Sequence, residues 1–334
     1  MQRRDFLQHS LNHSFAASLL SVIPFGSSVA ERVVEPLADP HFVPAKTIPV
    51  YRPNPENWSA DEVTMAWIGH STVLCNFFGC IILTDPILFE RVGLYLFGAT
   101  FGPTRLSPPA LNIQTLPKPD VVLLSHAHMD HCDIQSLSAL TEKYPREIDV
   151  VIAKNTKDVV QDLQWKSVRE MDWNEHLRLE TKHGELNIKA LEVRHFGWRL
   201  PGDLDRAAGK RLGRSFNAYL LERNGKRIVF GGDTAMTGSF RKAFFDDPQP
   251  VDIVIMPIGA YQPWKSVHCN PEEALEMARD MKAQYFVPIH CQTFPLGRES
   301  TFEPMERLQA AIRLQASPKL ALDAIGKTFV LPTS

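Results

Sequence analysis

The chain has 334 residues, 44% of them hydrophobic and 22% charged, with a formal net charge of -2. That length and composition allow one large soluble core or two small ones and exclude a disordered chain. The near-neutral balance gives no basic surplus of the kind a nucleic-acid partner requires, and five cysteines, an odd number, do not make a disulfide scaffold.

The N-terminus has the pattern of an export address. Arg3-Arg4 and Phe6-Leu7 precede an uncharged, modestly apolar stretch, with Ser28 and Ala30 at cleavage-site spacing. Residues 1–30 resemble a twin-arginine signal, although Gln2 and Gln8 stand where Ser/Thr and Lys are usual. The expectation is a protein exported folded to a bacterial periplasm. An amphipathic N-terminal helix on a cytoplasmic protein is the alternative. Residues 31–58 carry Pro36, Pro40, Pro44, Pro49, Pro53 and Pro55, which bars a regular helix and predicts an extended arm. The folded domain is expected over 59–334.

Short strand-like runs then alternate with turn signals: MAWIG, TVLCNF, CIILTD, VVLLS, DVVIA, LNIKALEV, FNAYLLE, KRIVFGG, DIVIMPIG, YFVPIH and KTFVL. Eleven such runs imply a large sheet system. Asn224-Gly225, both tolerant of positive φ, predicts a hairpin and therefore some antiparallel pairing. Helices are expected at Ile134 to Tyr144, at Pro271 to Ala283 with Asn270 as cap, and at Pro304 to Leu314. Cys75 and Cys80, on a hairpin around Phe78-Gly79, are not expected to stand opposite one another.

The chemistry concentrates in SHAHMDHCD, Ser125 to Asp133, directly behind the apolar run Val121 to Leu124. His126 and His128, two apart, project to the same side of an extended backbone. Asp130 and His131 follow as the chain turns, and Asp133 is placed to cap the next helix. Four ligand-type side chains on a short strand-to-helix connection are costly to bury unless something pairs with them. A metal site answers that cost.

The spacing His-x-His-x-Asp-His resembles that of the metallo-β-lactamase-fold hydrolases. The resemblance implies an α/β (α+β) fold, a four-layered αββα sandwich of two mixed β-sheets flanked by helices. It also implies further ligands in chain order at apolar-run ends: His195 after LEV, Asp233 after IVFGG and His290 after FVPI. Carried over position by position, His126, His128 and His195 serve one metal, Asp130, His131 and His290 the other, and Asp233 bridges them. Nitrogen and carboxylate ligands favour two Zn²⁺ ions, with Mn²⁺ or Fe as alternatives. Cys132, Cys269 and Cys291 beside these histidines read as buried small hydrophobes, with metal ligation the lesser alternative.

Longer stretches, IGHSTVLCNFFGCIILTDPIL and IGAYQPWKSVHCNPEEAL with FVPIHCQTF, resemble the branch containing N-acylphosphatidylethanolamine-hydrolysing phospholipase D and its bacterial relatives. This implies a phosphodiesterase acting on a phospholipid or related diester through a metal-bound hydroxide. A lactonase or other carbonyl hydrolase, or a non-catalytic metal-binding envelope protein, are the alternatives. Asp130 and His268 are the expected catalytic residues besides the metals, His268 as proton donor or anion contact. His70 and Asp85 are expected behind the ligands, orienting them. The segment ILFERVGLYLFGATFG is expected mainly in the core, or else along an acyl groove or at a membrane surface. After the third histidine the Trp-rich stretch of that branch is missing, which leaves Phe216 and Tyr219 as the aromatic residues expected there. A small-molecule or lipid substrate is thus expected, with peripheral membrane contact and no nucleic acid.

Overall fold

The computed structural model describes residues 48–206, 212–314 and 316–332. The expected leader, residues 1–30, and the arm up to residue 47 lie outside them. The described end of the arm is tied to the domain: Val50 bridges Ile325, and the Tyr51 amide donates to the Ile325 carbonyl at 2.9 Å.

The first half of the chain forms β1 (Val63–Gly69), β2 (Thr72–Phe77), β3 (Cys80–Thr84), a separate hairpin β4 (Leu94–Leu96) and β5 (Ala99–Phe101), and β6 (Val121–Leu124). Helix α1 (Ile134–Lys143), β7 (Asp149–Ala153), α2 (Lys157–Val160) and β8 (Ser167–Met171) follow. The second half forms β9 (His176–Thr181), β10 (Gly184–Glu192), β11 (Asn217–Arg223), β12 (Lys226–Phe230), α3 (Ser239–Phe244), β13 (Ile253–Pro257), α4 (Pro271–Asp280), β14 (Tyr285–Ile289), α5 (Glu303–Ile312), β15 (Lys319–Leu320) and β16 (Thr328–Val330).

These strands make two seven-stranded sheets, ordered β16-β1-β2-β3-β6-β7-β8 and β15-β14-β13-β12-β11-β10-β9. Both are mixed in the same way. The first is antiparallel from β16 to β3 and parallel from β3 to β8; the second is antiparallel from β9 to β12 and parallel from β12 to β15. β1, β2, β6, β7 and β13 are buried along their whole length, as strands covered on both faces must be. This is the αββα sandwich, and its first sheet is completed by β16, the last strand among the described residues.

Each of the eleven apolar runs contains a strand or most of one. The hairpin at Asn224-Gly225 joins β11 to β12, with φ of 48° and 73° at its two turn residues. The helices stop slightly earlier than expected: Tyr144 caps α1, and α4 ends at Asp280, where Lys282 enters the left-handed region at φ 53°. Cys75 pairs with Ile82, and Cys80 with Phe77, so the two thiols are not opposed; all five cysteines are free and buried.

One expectation holds for only part of its segment. The segment around β4 and β5 is not core: Leu94, Leu96, Phe97 and Phe101 are exposed, Phe97 to 89%. The start of the segment does turn inward: Ile87 and Val92 pack against Phe294, Leu88 is buried in the main core and Phe89 packs against it. The two short strands pair with each other alone, so the hairpin has no sheet face to cover its side chains.

Candidate metal centre

Every candidate site residue lies just past a strand end or in the loop that follows. His126 to His131 follow β6, His195 follows β10, Asp233 follows β12, His268 lies beyond β13 and His290 follows β14; His70 and Asp85 follow β1 and β3. Close approach there is licensed by small residues. A Cβ on Gly232 would stand 2.6 Å from Cβ of Ser125, and one on Gly259 would stand 2.2 Å from the His290 carbonyl oxygen. His70, Asp85 and His290 themselves hold positive φ, 52°, 32° and 61°, a conformation that costs a side-chain-bearing residue energy and concentrates at functional sites.

The first cluster is His126, His128 and His195. Nε2 of His126 lies 2.8 Å, and Nε2 of His195 lies 3.2 Å, from Nδ1 of His128. The outer contacts fix which nitrogens carry protons. His195 Nδ1 faces the Val267 carbonyl at 2.9 Å, and a carbonyl only accepts, so the proton is on Nδ1 and the Nε2 lone pair points inward. His126 Nδ1 lies 2.9 Å from the Ser125 hydroxyl, which itself donates to Asp85 Oδ2 at 2.5 Å; His126 therefore donates outward and also turns a lone pair to the centre. Burial, then the neighbouring histidines, lower the pKa of His126 well below the ordinary value; burial, then His128, does the same for His195. Both stay neutral, the form that binds a cation.

The second cluster is His70, Asp130, His131 and His290. Asp130 Oδ2 lies 3.2 Å from His70 Nε2, 3.3 Å from His290 Nε2 and 3.5 Å from His131 Nε2. His131 Nδ1 is 2.6 Å from Asp85 Oδ2, so Nε2 is the nitrogen that this ring turns to the cluster. Asp233 Oδ2 stands between the two clusters, 3.0 Å from His131 Nε2, 3.2 Å from His290 Nε2 and 3.9 Å from His195 Nε2.

Lone pairs and two carboxylates thus converge with too few protons between them, and His128 Nε2, His131 Nε2 and Asp233 Oδ1 are buried with no hydrogen-bond partner. A cation is what this donor set fits. The electrostatics agree. Burial opposes charge on His131, yet Asp233, Asp130 and Asp85 outweigh it and hold its pKa well above the ordinary value. Burial likewise opposes charge on His290, but Asp233 and Asp130 raise it to about 9. Protons are drawn to the place where positive charge is missing. Burial also works against charge on Asp233, and His131, His290 and His268 overcome it, keeping that carboxyl well below the usual range. At Asp85 burial wins and raises the pKa, although the Ser125 amide, the Ser125 hydroxyl and the His131 ring all direct donors at its carboxylate oxygens.

Sequence-predicted residues therefore meet in one place, with one difference. Asp85 lies behind the ligands, touching Ser125 and His131, whereas His70 puts a ring nitrogen into the second cluster itself. His268 sits at the edge, its unpartnered Nδ1 3.8 Å from Asp233 Oδ2. Tyr219 is a core residue, and Phe216, also buried, meets the His195 ring edge-on at 6.2 Å between centroids; the wall on the His128 side is Phe196, 4.3 Å from His128 between ring centroids, with Trp198 tilted against it. Sequence reasoning also missed Arg199, whose Nη1 donates to the Ala127 carbonyl at 2.7 Å and to the Cys132 carbonyl at 2.9 Å, bracing both ends of the ligand loop. No local pattern marks such a long-range clamp. The aromatic wall does carry a local signal, Trp198 in GWRLPG.

Comparison with known proteins gives a consistent picture. The model of the beta-lactamase superfamily domain matches residues 81–291. An uncharacterised protein of Mycobacterium tuberculosis is 33% identical over 80% of this chain and 69% of its own length. N-acyl-phosphatidylethanolamine-hydrolyzing phospholipase D 1 of Caenorhabditis elegans is 29% identical over 79% of this chain and 74% of its own. Among solved structures, a metallo hydrolase from the archaeon Ignicoccus hospitalis superposes with a TM-score of 0.58 at 18% identity, over 81% of this chain and 99% of that one.

Proposed function

The chain belongs to the β-lactamase superfamily and is a metal-dependent hydrolase of that fold, and from that premise we propose a binuclear phosphodiesterase that acts on a phospholipid or a related diester. The observation that carries the metal count is the paired arrangement of donors: three ring nitrogens in one cluster, a carboxylate with imidazoles in the other, and Asp233 Oδ2 between them. His126, His128 and His195 would hold one ion, Asp130, His131 and His290 the second, and Asp233 both. Imidazole and carboxylate donors favour Zn²⁺. When bound, the ions supply Lewis acidity toward a phosphoryl oxygen and lower the pKa of a water to about 7.

The residues do the rest. Asp130 accepts a proton from the attacking water, held for that task by ring nitrogens on its Oδ2. His268, at the edge with an unpartnered Nδ1, takes up that proton and passes it to the leaving oxygen. Phe196 and Trp198 wall the His128 side and keep bulk water from it. The lipid class is supported by the likeness to the nematode phospholipase D and by the exposed apolar hairpin, which Thr100 ties to Gln135 in the first turn of α1, just beyond the ligand loop. Peripheral contact of that hairpin with a bilayer, and export through residues 1–30, belong to the same proposal.

The test is metal analysis of the purified protein with a hydrolysis screen over phosphodiesters, phospholipids, lactones and β-lactams. Two ions per chain and phosphodiester cleavage, both lost in Asp233→Ala, are expected. Lactone opening without diester cleavage overturns the substrate class, and an Asp233→Ala protein that keeps its metal overturns the site.

A further inference from the structure

His70 stands outside the seven-residue ligand set, yet its side chain is delivered to the second cluster with unusual rigidity. Its backbone is fixed by both sheets: the His70 amide donates to Thr293 Oγ1 at 2.7 Å, while its carbonyl accepts from the Trp67 indole at 2.8 Å and from the His290 amide at 3.1 Å. Those bonds hold it at φ 52°, in the left-handed region that few non-glycine residues occupy. The side chain is 2% exposed, and its ring lies 4.3 Å from the His290 ring between centroids and meets Phe294 edge-on at 5.3 Å. All of this aims Nε2 at Asp130 Oδ2, 3.2 Å away.

The chemistry of that contact follows from the neighbours. With a cation bound, His131 Nε2 and His290 Nε2 would turn lone pairs to it, while His131 keeps its Nδ1 proton on Asp85. Of the ring nitrogens around Asp130 Oδ2, His70 Nε2 at 3.2 Å, His290 Nε2 at 3.3 Å and His131 Nε2 at 3.5 Å, His70 is then the one outside the ligand set and left to donate to the carboxylate. We propose that His70 is a positioning residue: its Nε2–H donates to Asp130 Oδ2, fixes the rotation of that carboxylate, and so sets how tightly the Asp130, His131 and His290 cluster retains its cation. The proposal rests on the binuclear site argued above. It extends that site by one residue, from β1 in the opposite sheet to β14.

The decisive experiment compares His70→Ala and His70→Gln with the parent protein, using stepwise removal of metal by a chelator and the visible absorption of the cobalt-loaded forms. Outer partners of ligands typically change metal affinity by about 10–100-fold. His70→Ala is expected to weaken retention of the second ion by that order and leave the first ion, on the three-histidine cluster, unchanged. His70→Gln, whose amide N–H replaces the donor, is expected to restore most of the loss and the parent cobalt spectrum. An alanine variant with parent-like retention overturns the proposal. Equal loss in both variants with a shifted cobalt spectrum also overturns it, since His70 would then be a ligand rather than a donor to one. Circular dichroism of both variants guards against loss of fold. A parent protein that binds only one ion fails the underlying binuclear assignment instead, and that is read before any variant is made.

Discussion

Asp85 Oδ2 and His131 Nδ1 lie 2.6 Å apart, both side chains fully buried, and this contact makes the ligand loop and β3 one unit. Through Ser125, the same carboxylate also fixes the proton of His126. One residue therefore sets a ring in each cluster. Asp85→Ala is expected to lower affinity for both metals by about 10–100-fold, measured by chelator competition. Loss confined to one of the two ions would contradict the double role.

Arg199 closes the loop from the other side. It holds the carbonyls of Ala127 and Cys132, so the loop after His195 braces the loop carrying four other candidate ligands. Hydrogen bonds to a charged group contribute about 1.5–3 kcal/mol each at most. Arg199→Met should lower stability by about 1.5–3 kcal/mol in urea unfolding and reduce turnover more than substrate binding. Lysine, a single point donor, should recover only part of either. An Arg199→Met protein with parent stability and turnover would remove the clamp from the account.

Much of this architecture was legible in the sequence, and the parts that were not share a cause. The apolar runs of β1, β2, β6, β7 and β13 announced themselves because both faces are buried. β8 and β9 carry Arg169, Glu170, Arg178 and Glu180 among partly exposed positions at the sheet edges, so hydrophobicity could not mark them. The ligands were readable because their residue types and spacing are local. What Ser125, Arg199 and His70 do depends on contacts across 40, 72 and 60 residues, which no local pattern encodes.

The hairpin tip offers a test of the lipid assignment. Phe97 and Gly98 turn at φ 52° and 83°, presenting Phe97 and, beside it, Leu96 and Phe101 to solvent. Burying one such side chain is worth about 1.5–3 kcal/mol, roughly a tenfold or larger gain in partition. Phe97→Ser is expected to reduce sedimentation with phospholipid vesicles by about that factor and leave cleavage of a short soluble diester unchanged. Equal vesicle binding by parent and variant would remove the hairpin as a membrane contact.

Alkaline pH should report on the core beneath the first sheet. Burial, then the nearby Asp120 carboxylate, push the Cys80 thiol up to about 12 from its ordinary 9.0, and burial raises Cys75 as well. A raised folded pKa means that the unfolded chain releases its proton first. The stability these thiols contribute is therefore complete below pH about 9 and falls as pH rises from there toward about 12, by about 1.4 kcal/mol for each unit at each thiol. Urea unfolding at a series of pH values should show this decline, and Cys80→Ala, though less stable at neutral pH, should show a shallower one. A parallel decline in parent and variant would place the alkaline sensitivity elsewhere. Alkylation gives an independent measure: at pH 8 the Cys75 and Cys80 thiols should resist iodoacetamide in the folded protein and react fully in urea.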